Sequence, residues 1–182
     1  MEKRLQAAGV TPQQVEVVWI KHANARPTEP FPRHVEKLES DLTTNLHQLK
    51  SKFPNLRIAY LSSRIYAGYA TTTLNPEPYA YESAFAVRDL IQAQMKGDAA
   101  LNFDPAKGEV KSPLLLWGPY LWADGMKPRK SDGLVWKRED LRGEDGTHPS
   151  VTTGRDKVAT MLLHFFKTDA TTKSWFLAKP AP

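Results

Sequence analysis

Three short apolar runs set the tightest limit on how this chain can fold. They are Val15-Glu16-Val17-Val18-Trp19-Ile20, Leu56-Arg57-Ile58-Ala59-Tyr60-Leu61 and Leu114-Leu115-Leu116-Trp117. Each is rich in β-branched, aromatic or leucine residues, and none shows the strict alternation of a strand with one wet face. Near-continuous apolar strands are covered on both faces, which predicts a parallel sheet between layers of helix. Gly118-Pro119 stops the third run.

Helical patterns lie between and after the runs. From residue 33 to 53 the apolar positions Val35, Leu38, Leu42, Leu46, Leu49 and Phe53 recur every three or four residues, and Pro54-Asn55 ends the stripe. A second helix is predicted over 79–95, with Phe85, Leu90 and Ile91 inward and Gly97 as its cap. A third is predicted to start at Ser150 as N-cap and to turn Val158, Met161, Leu162 and Phe165 inward. Residues 1–8 read as a short helix closed by Gly9. Strands alternating with helices predict the α/β class. One domain is expected over 1–182, with its core at about 15–168 and a loose tail over 169–182 that ends in Lys179-Pro180-Ala181-Pro182.

Composition excludes several functions. Without cysteine there is no disulfide framework, thiolate nucleophile or cysteine-based zinc site. No phosphate-binding glycine loop, His-Glu-x-x-His helix or carboxylate cluster with metal spacing occurs, so neither a cofactor nor a metal is expected. The net charge is +5, yet Arg26, Lys50, Lys52, Lys127, Arg129, Lys130, Lys137 and Arg138 are scattered. A solvated basic face accounts for them better than a nucleic-acid surface, which would come with a binding motif. No apolar run approaches the ~20 residues that span a bilayer. Met1-Glu2-Lys3-Arg4 opens an amphipathic segment rather than a signal peptide. The compartment is left open.

The chemistry concentrates near the C-terminus, in Asp145-Gly146-Thr147-His148-Pro149-Ser150. A neutral imidazole can take a proton from a hydroxyl near neutral pH. Asp145 stands at a spacing that a tight turn closes, so it can orient the ring of His148. Gly146 relieves that turn. Pro149 keeps His148 out of helical geometry. Just past the first strand, Asn24 offers a side-chain amide to a developing oxyanion, with His22 beside it on the substrate side. Ser62 and Ser63 end the second strand at the edge where the His148 loop should lie, which makes them the in-chain candidates for a nucleophile. Tyr66, Tyr69, Trp117, Tyr120, Trp122 and Trp136 are expected around the mouth. Of these, Tyr66, Trp122 and Trp136 are read as substrate-binding, and residues 65–69 as a flexible lip.

On these residues the chain resembles the SGNH or GDSL-like hydrolases, a family of esterases and lipases. Asp145-Gly146-Thr147-His148-Pro149-Ser150, with Gly154 soon after, looks like the Asp-x-x-His motif that precedes the last helix of that family. Asn24 matches the asparagine of its Gly-x-Asn-Asp motif, with His22 in place of the glycine and Ala25 in place of the acid. The likeness runs from about residue 15 to 166, the later two-thirds of such a domain. It implies a three-layer α/β/α flavodoxin-like sheet that lacks the first two strands. No Gly-Asp-Ser occurs in the chain. The nucleophile is therefore Ser63 or Ser62, or lies outside this sequence. The family's relatives are often exported.

The resemblance implies an ester hydrolase with His148 as base, Asp145 as its orienter and Asn24 as oxyanion donor, acting on a small-molecule or polymeric ester. The alternative is a catalytically degenerate hydrolase-fold module that binds carbohydrate or a protein partner. Without the two missing strands, the strand at 15–20 becomes a hydrophobic edge, and homo-oligomerisation through it is expected.

Overall fold

The computed structural model describes residues 2–177. It is a mixed α/β fold, with five helices around a small sheet of three parallel strands. The strands are β1 (Val17–Ile20), β2 (Ile58–Leu61) and β3 (Leu114–Trp117), in the order β1-β2-β3. All three apolar runs therefore form strands. β1 and β2 start two residues later than their runs, although Arg57 N–H already bonds Glu16 C=O at 2.8 Å ahead of the ladder. Ile20 lies opposite Leu61, and Leu61 opposite Trp117, so the carboxyl ends of all three strands share one edge.

The helices are α1 (Glu2–Ala7), α2 (Arg33–Lys52), α3 (Tyr79–Met95), α4 (Gly154–Thr168) and α5 (Lys173–Phe176). On α2 the stripe Val35, Leu38, Leu42 and Leu46 is buried. α3 buries small residues, Ala80, Ser83 and Ala86, along with Val87 and Leu90, which lets it lie close to α2. Phe85 and Ile91 pack at the margin of the same core. Gly97 closes α3 in a left-handed conformation (φ +86°). Together α2, α3 and the residues Ile20, Ala59, Leu61 and Leu115 form the first core, on one face of the sheet.

The other face is covered by α4 and α5, through rings. The Tyr60 ring meets Phe165 and Phe166 edge-on and stacks on Trp175. Its hydroxyl donates to Thr171 C=O at 3.0 Å. Thr172 is fully buried. The expected loose tail is thus corrected over 169–177: this stretch turns back and packs on the central strand, because Tyr60 would otherwise face water. The predicted tail at 179–182 lies outside the described residues. On α4 only Gly154 and Val158 are buried; Met161, Leu162 and Phe165 are half-buried. Ser150 is not the N-cap, which falls on Thr153, but its Oγ accepts from Gly154 N–H at 3.0 Å and so serves the first turn from further back.

A second core lies beyond the carboxyl edge. Ile65, Leu121, Ala123, Trp136, Leu141 and Val158 form it, flanked by Trp19, Tyr66, Tyr69, Leu134 and Met161. Apart from α4, its contributors are irregular segments. This core carries the loop that holds Asp145 and His148.

Candidate active site

The 142–150 loop is closed by its own backbone. Gly146 N–H bonds Arg142 C=O at 2.9 Å, and Arg142 N–H bonds His148 C=O at 2.9 Å. Gly146 sits at φ +63°, where an L side chain is strained. A Cβ there would also stand 2.0 Å from Tyr69 C=O. Glycine is therefore required twice over, by conformation and by the strand of chain passing above it. Thr71 N–H, donating to Asp145 C=O at 3.1 Å, ties the same two segments.

Within this turn Asp145 and His148 meet as the spacing predicts. Nδ1 of His148 is 2.6 Å from Oδ2 of Asp145. Oδ1 accepts from the backbone N–H of Thr147 at 2.7 Å and of His148 at 2.9 Å, and from the Thr147 hydroxyl at 3.1 Å. Burial alone would push the Asp145 carboxyl up. The two backbone donors and the imidazole outweigh it and hold the group well below the usual carboxylate range. A carboxylate so fixed accepts from Nδ1–H, which leaves Nε2 as the basic nitrogen. The His148 side chain is 37% exposed, and Nε2 has no partner among the described residues. A fixed carboxylate thus stands behind a half-exposed imidazole.

Asn24 lies in the loop after β1. That loop is pinned by Arg26 N–H to Leu74 C=O at 2.7 Å and by the Asn75 amide to Asn24 C=O at 3.2 Å. The Nδ2 of Asn24 is buried and lacks an acceptor. Buried amide donors are nearly always satisfied, so an unmet one is unusual.

Ser62 and Ser63 reach the predicted edge but do not offer a nucleophile. Ser62 is 2% exposed; its Oγ donates to Pro119 C=O at 2.7 Å and accepts from Trp19 Nε1 at 2.9 Å. Ser63 is fully buried, and its Oγ accepts from Leu121 N–H at 3.2 Å. Both hydroxyls clamp the ends of the strands to the second core. The nucleophile expectation for them is corrected on that ground.

The aromatic expectations divide. Trp136 is fully buried, with Nε1 donating to Leu121 C=O at 2.9 Å, so it is core and not substrate-binding. Tyr66 and Trp122 are half-buried and belong to a row of rings. The row runs from Tyr69 to Tyr66 (5.3 Å), Trp122 (6.4 Å), Tyr81 (4.7 Å) and Phe85 (5.6 Å). It starts against Gly146 and ends in a hollow of about 410 Å³ lined by Tyr81, Phe85, Trp117 and Tyr120. The segment at 65–69 is not a flexible lip. Ile65 and Ala67 are buried, and Ala67 N–H donates to Glu77 Oε1 at 2.9 Å.

Sequence reasoning missed Glu77, Tyr81, Lys21 and Arg64. Oε1 of Glu77 also accepts from Trp122 Nε1, and Oε2 from Tyr81 N–H, both at 2.9 Å, so one carboxylate aligns the row. Lys21 and Arg64 carried a readable signal: Lys21 follows β1 directly and Arg64 stands three residues past β2, where a charge has to sit at the sheet's edge. Burial, then the Arg64 charge, lowers the Lys21 amine to about 7, and the same two causes lower the His22 imidazole.

Among the described residues no group of three or more histidine or acidic side chains is placed to hold a metal ion, and no helix is long and apolar enough to cross a membrane. Comparison with models of protein families, with curated proteins and with solved structures gives no match. The functional reading therefore rests on the residues themselves.

Proposed function

We propose that this chain is an ester hydrolase of SGNH or GDSL-like type, with His148 as its general base. The observation that carries the reading is the 2.6 Å bond from Nδ1 to a carboxylate held by three further donors, with Nε2 left open to the surface. Parallel strands in the order β1-β2-β3, with helices on both faces and the dyad in a carboxyl-edge loop, support the three-layer fold that the resemblance implies. In the reaction, Nε2 takes a proton from an attacking water as the oxygen bonds the ester carbon; where a hydroxyl attacks instead, it keeps the acyl group until a water activated by Nε2 in the same way releases the acid. Asp145 steadies the imidazolium. Asn24 Nδ2 donates to the tetrahedral oxyanion. The imidazolium then returns its proton to the departing alcohol as the C–O bond breaks. Since the Ser62 hydroxyl is bonded to Pro119 C=O and Ser63 is fully buried, the attacking oxygen is a water or a hydroxyl presented to Nε2 from another segment.

The test is hydrolysis of p-nitrophenyl acetate. Replacing His148 by Ala abolishes it, and Asp145→Asn lowers it by about 10²–10⁴. Activity in His148→Ala equal to that of the unaltered chain overturns the assignment.

A second reading, a binding module that no longer hydrolyses, is favoured by those same committed serines and by the aligned aromatic row. A fluorophosphonate probe separates the two. Labelling of one serine supports a covalent enzyme. No labelling and no hydrolysis support the binder.

The outer edge of β1 pairs with no strand among the described residues, and Val17, Val18 and Trp19 are only half-buried. That open apolar edge supports self-association along β1. A monomer in sedimentation at high concentration counts against it.

A further inference from the structure

The first two strands deliver more positive charge to the carboxyl edge than the edge can neutralise. Ser62 N–H bonds Ile20 C=O at 2.9 Å, so the chain continues in register past the ladder. Lys21 and His22 leave β1 beside the segment that carries Arg64 out of β2. Arg64 is 8% exposed and fixed in place: its N–H donates to Ser83 Oγ at 2.9 Å and its Nη2 to Thr147 C=O at 3.2 Å. Its Nε is buried and has no acceptor. Lys21 has neither a hydrogen bond nor an ion pair among the described residues, although burial is the main influence on its amine. The carboxylate felt by Arg64 is Asp145, whose oxygens already serve His148 and Thr147.

An unpaired donor of a buried charged group carries the full cost of its desolvation. A fold keeps such a group where a ligand completes it. A guanidinium fork with a neighbouring ammonium fits the oxygens of a carboxylate or a sulfate. Arg64 is also bonded to the backbone of the His148 loop, so an anion held here stands next to the base. Asn24, kept for the reaction's own oxyanion, is not needed for it.

We propose that Lys21, His22 and Arg64 form an anion subsite beside His148, so that the ester substrate bears a carboxylate or sulfate group. This inference rests on the hydrolase reading for the word substrate, and its test uses no hydrolysis. Sodium D-glucuronate and sodium sulfate are titrated separately into the whole chain, below neutrality and at constant ionic strength, with D-glucose as the neutral control. The imidazole resonances of His22 and His148 serve as the readout. Saturable shifts are expected with at least one anion and not with glucose. The tighter of the two names the group as carboxylate or sulfate. Lys21→Gln weakens binding by about tenfold or more, and Arg64→Lys, which keeps the charge but loses the fork, by a similar factor. If Arg64→Lys does not fold, Lys21→Gln carries the test, since Lys21 makes no internal bond. No saturable response to either anion, or equal affinity in Lys21→Gln, overturns the proposal.

Discussion

The two cores of this molecule are built on different terms. The first, between α2, α3 and the sheet, is made of regular elements whose side chains repeat at helical or strand spacing. The second is gathered mostly from irregular segments, around a tryptophan that no periodicity marks. The first holds the sheet together. The second fixes the loop of Asp145 and His148. An aspartate–histidine pair on irregular chain thus has a core of its own beneath it, just past the strand ends.

The sharpest way to break this comparison is to open each core once. Trp136→Ala should cost about 3–5 kcal/mol and Leu46→Ala about 2–5 kcal/mol, both being fully buried. The two should differ at the site. Trp136→Ala should also lose the low-field Nδ1–H proton signal of His148, while Leu46→Ala keeps it. Chemical denaturation and proton spectra read both quantities, and an unchanged His148 signal in Trp136→Ala would separate the second core from the site. Next in size is Gly146→Ala. The φ of +63° and the approach of Tyr69 C=O predict a loss of at least about 2 kcal/mol together with the dyad's alignment.

Ser62→Ala tests the seam between the cores. It strands Pro119 C=O and Trp19 Nε1, at about 1–3 kcal/mol, and should spare hydrolysis per folded molecule. Loss of activity in a fully folded Ser62→Ala would return the serine to the nucleophile role. Within any single pH unit, the effect of Lys21 is the smallest. The Lys21 amine falls from 10.5 to about 7 on folding, so between those values the unfolded chain binds a proton that the folded chain lacks. Stability therefore rises with pH across that window, by at most about 1.4 kcal/mol per unit, and the penalty is complete below pH about 7. Lys21→Met should flatten the rise in denaturation midpoints. Asp145 acts in the opposite sense: its lowered value adds stability above the ordinary carboxylate range, and that stability is lost in acid.

How much was legible follows the same division. Val35, Leu38, Leu42 and Leu46 announce α2, and the three apolar runs announce the strands, because period and hydrophobicity are local properties. The Asp145–His148 bond was legible because a turn of four residues closes it. The fates of Ser62, Ser63 and Trp136 were not. Ser62 is bonded to residues 43 and 57 positions away in the chain, and no local pattern carries that. The same holds for Glu77, which gathers Ala67, Tyr81 and Trp122.

By itself, then, the sequence determined a parallel α/β frame, its helix stripes and a histidine paired with its carboxylate. It could do so because neighbours along the chain fix backbone period and short turns. Only the tertiary structure decided which hydroxyls are spent on holding the fold and which rings face outward. It also decided which cations stand without a partner. Those outcomes depend on distances between residues far apart in sequence, set by how the two cores close on each other.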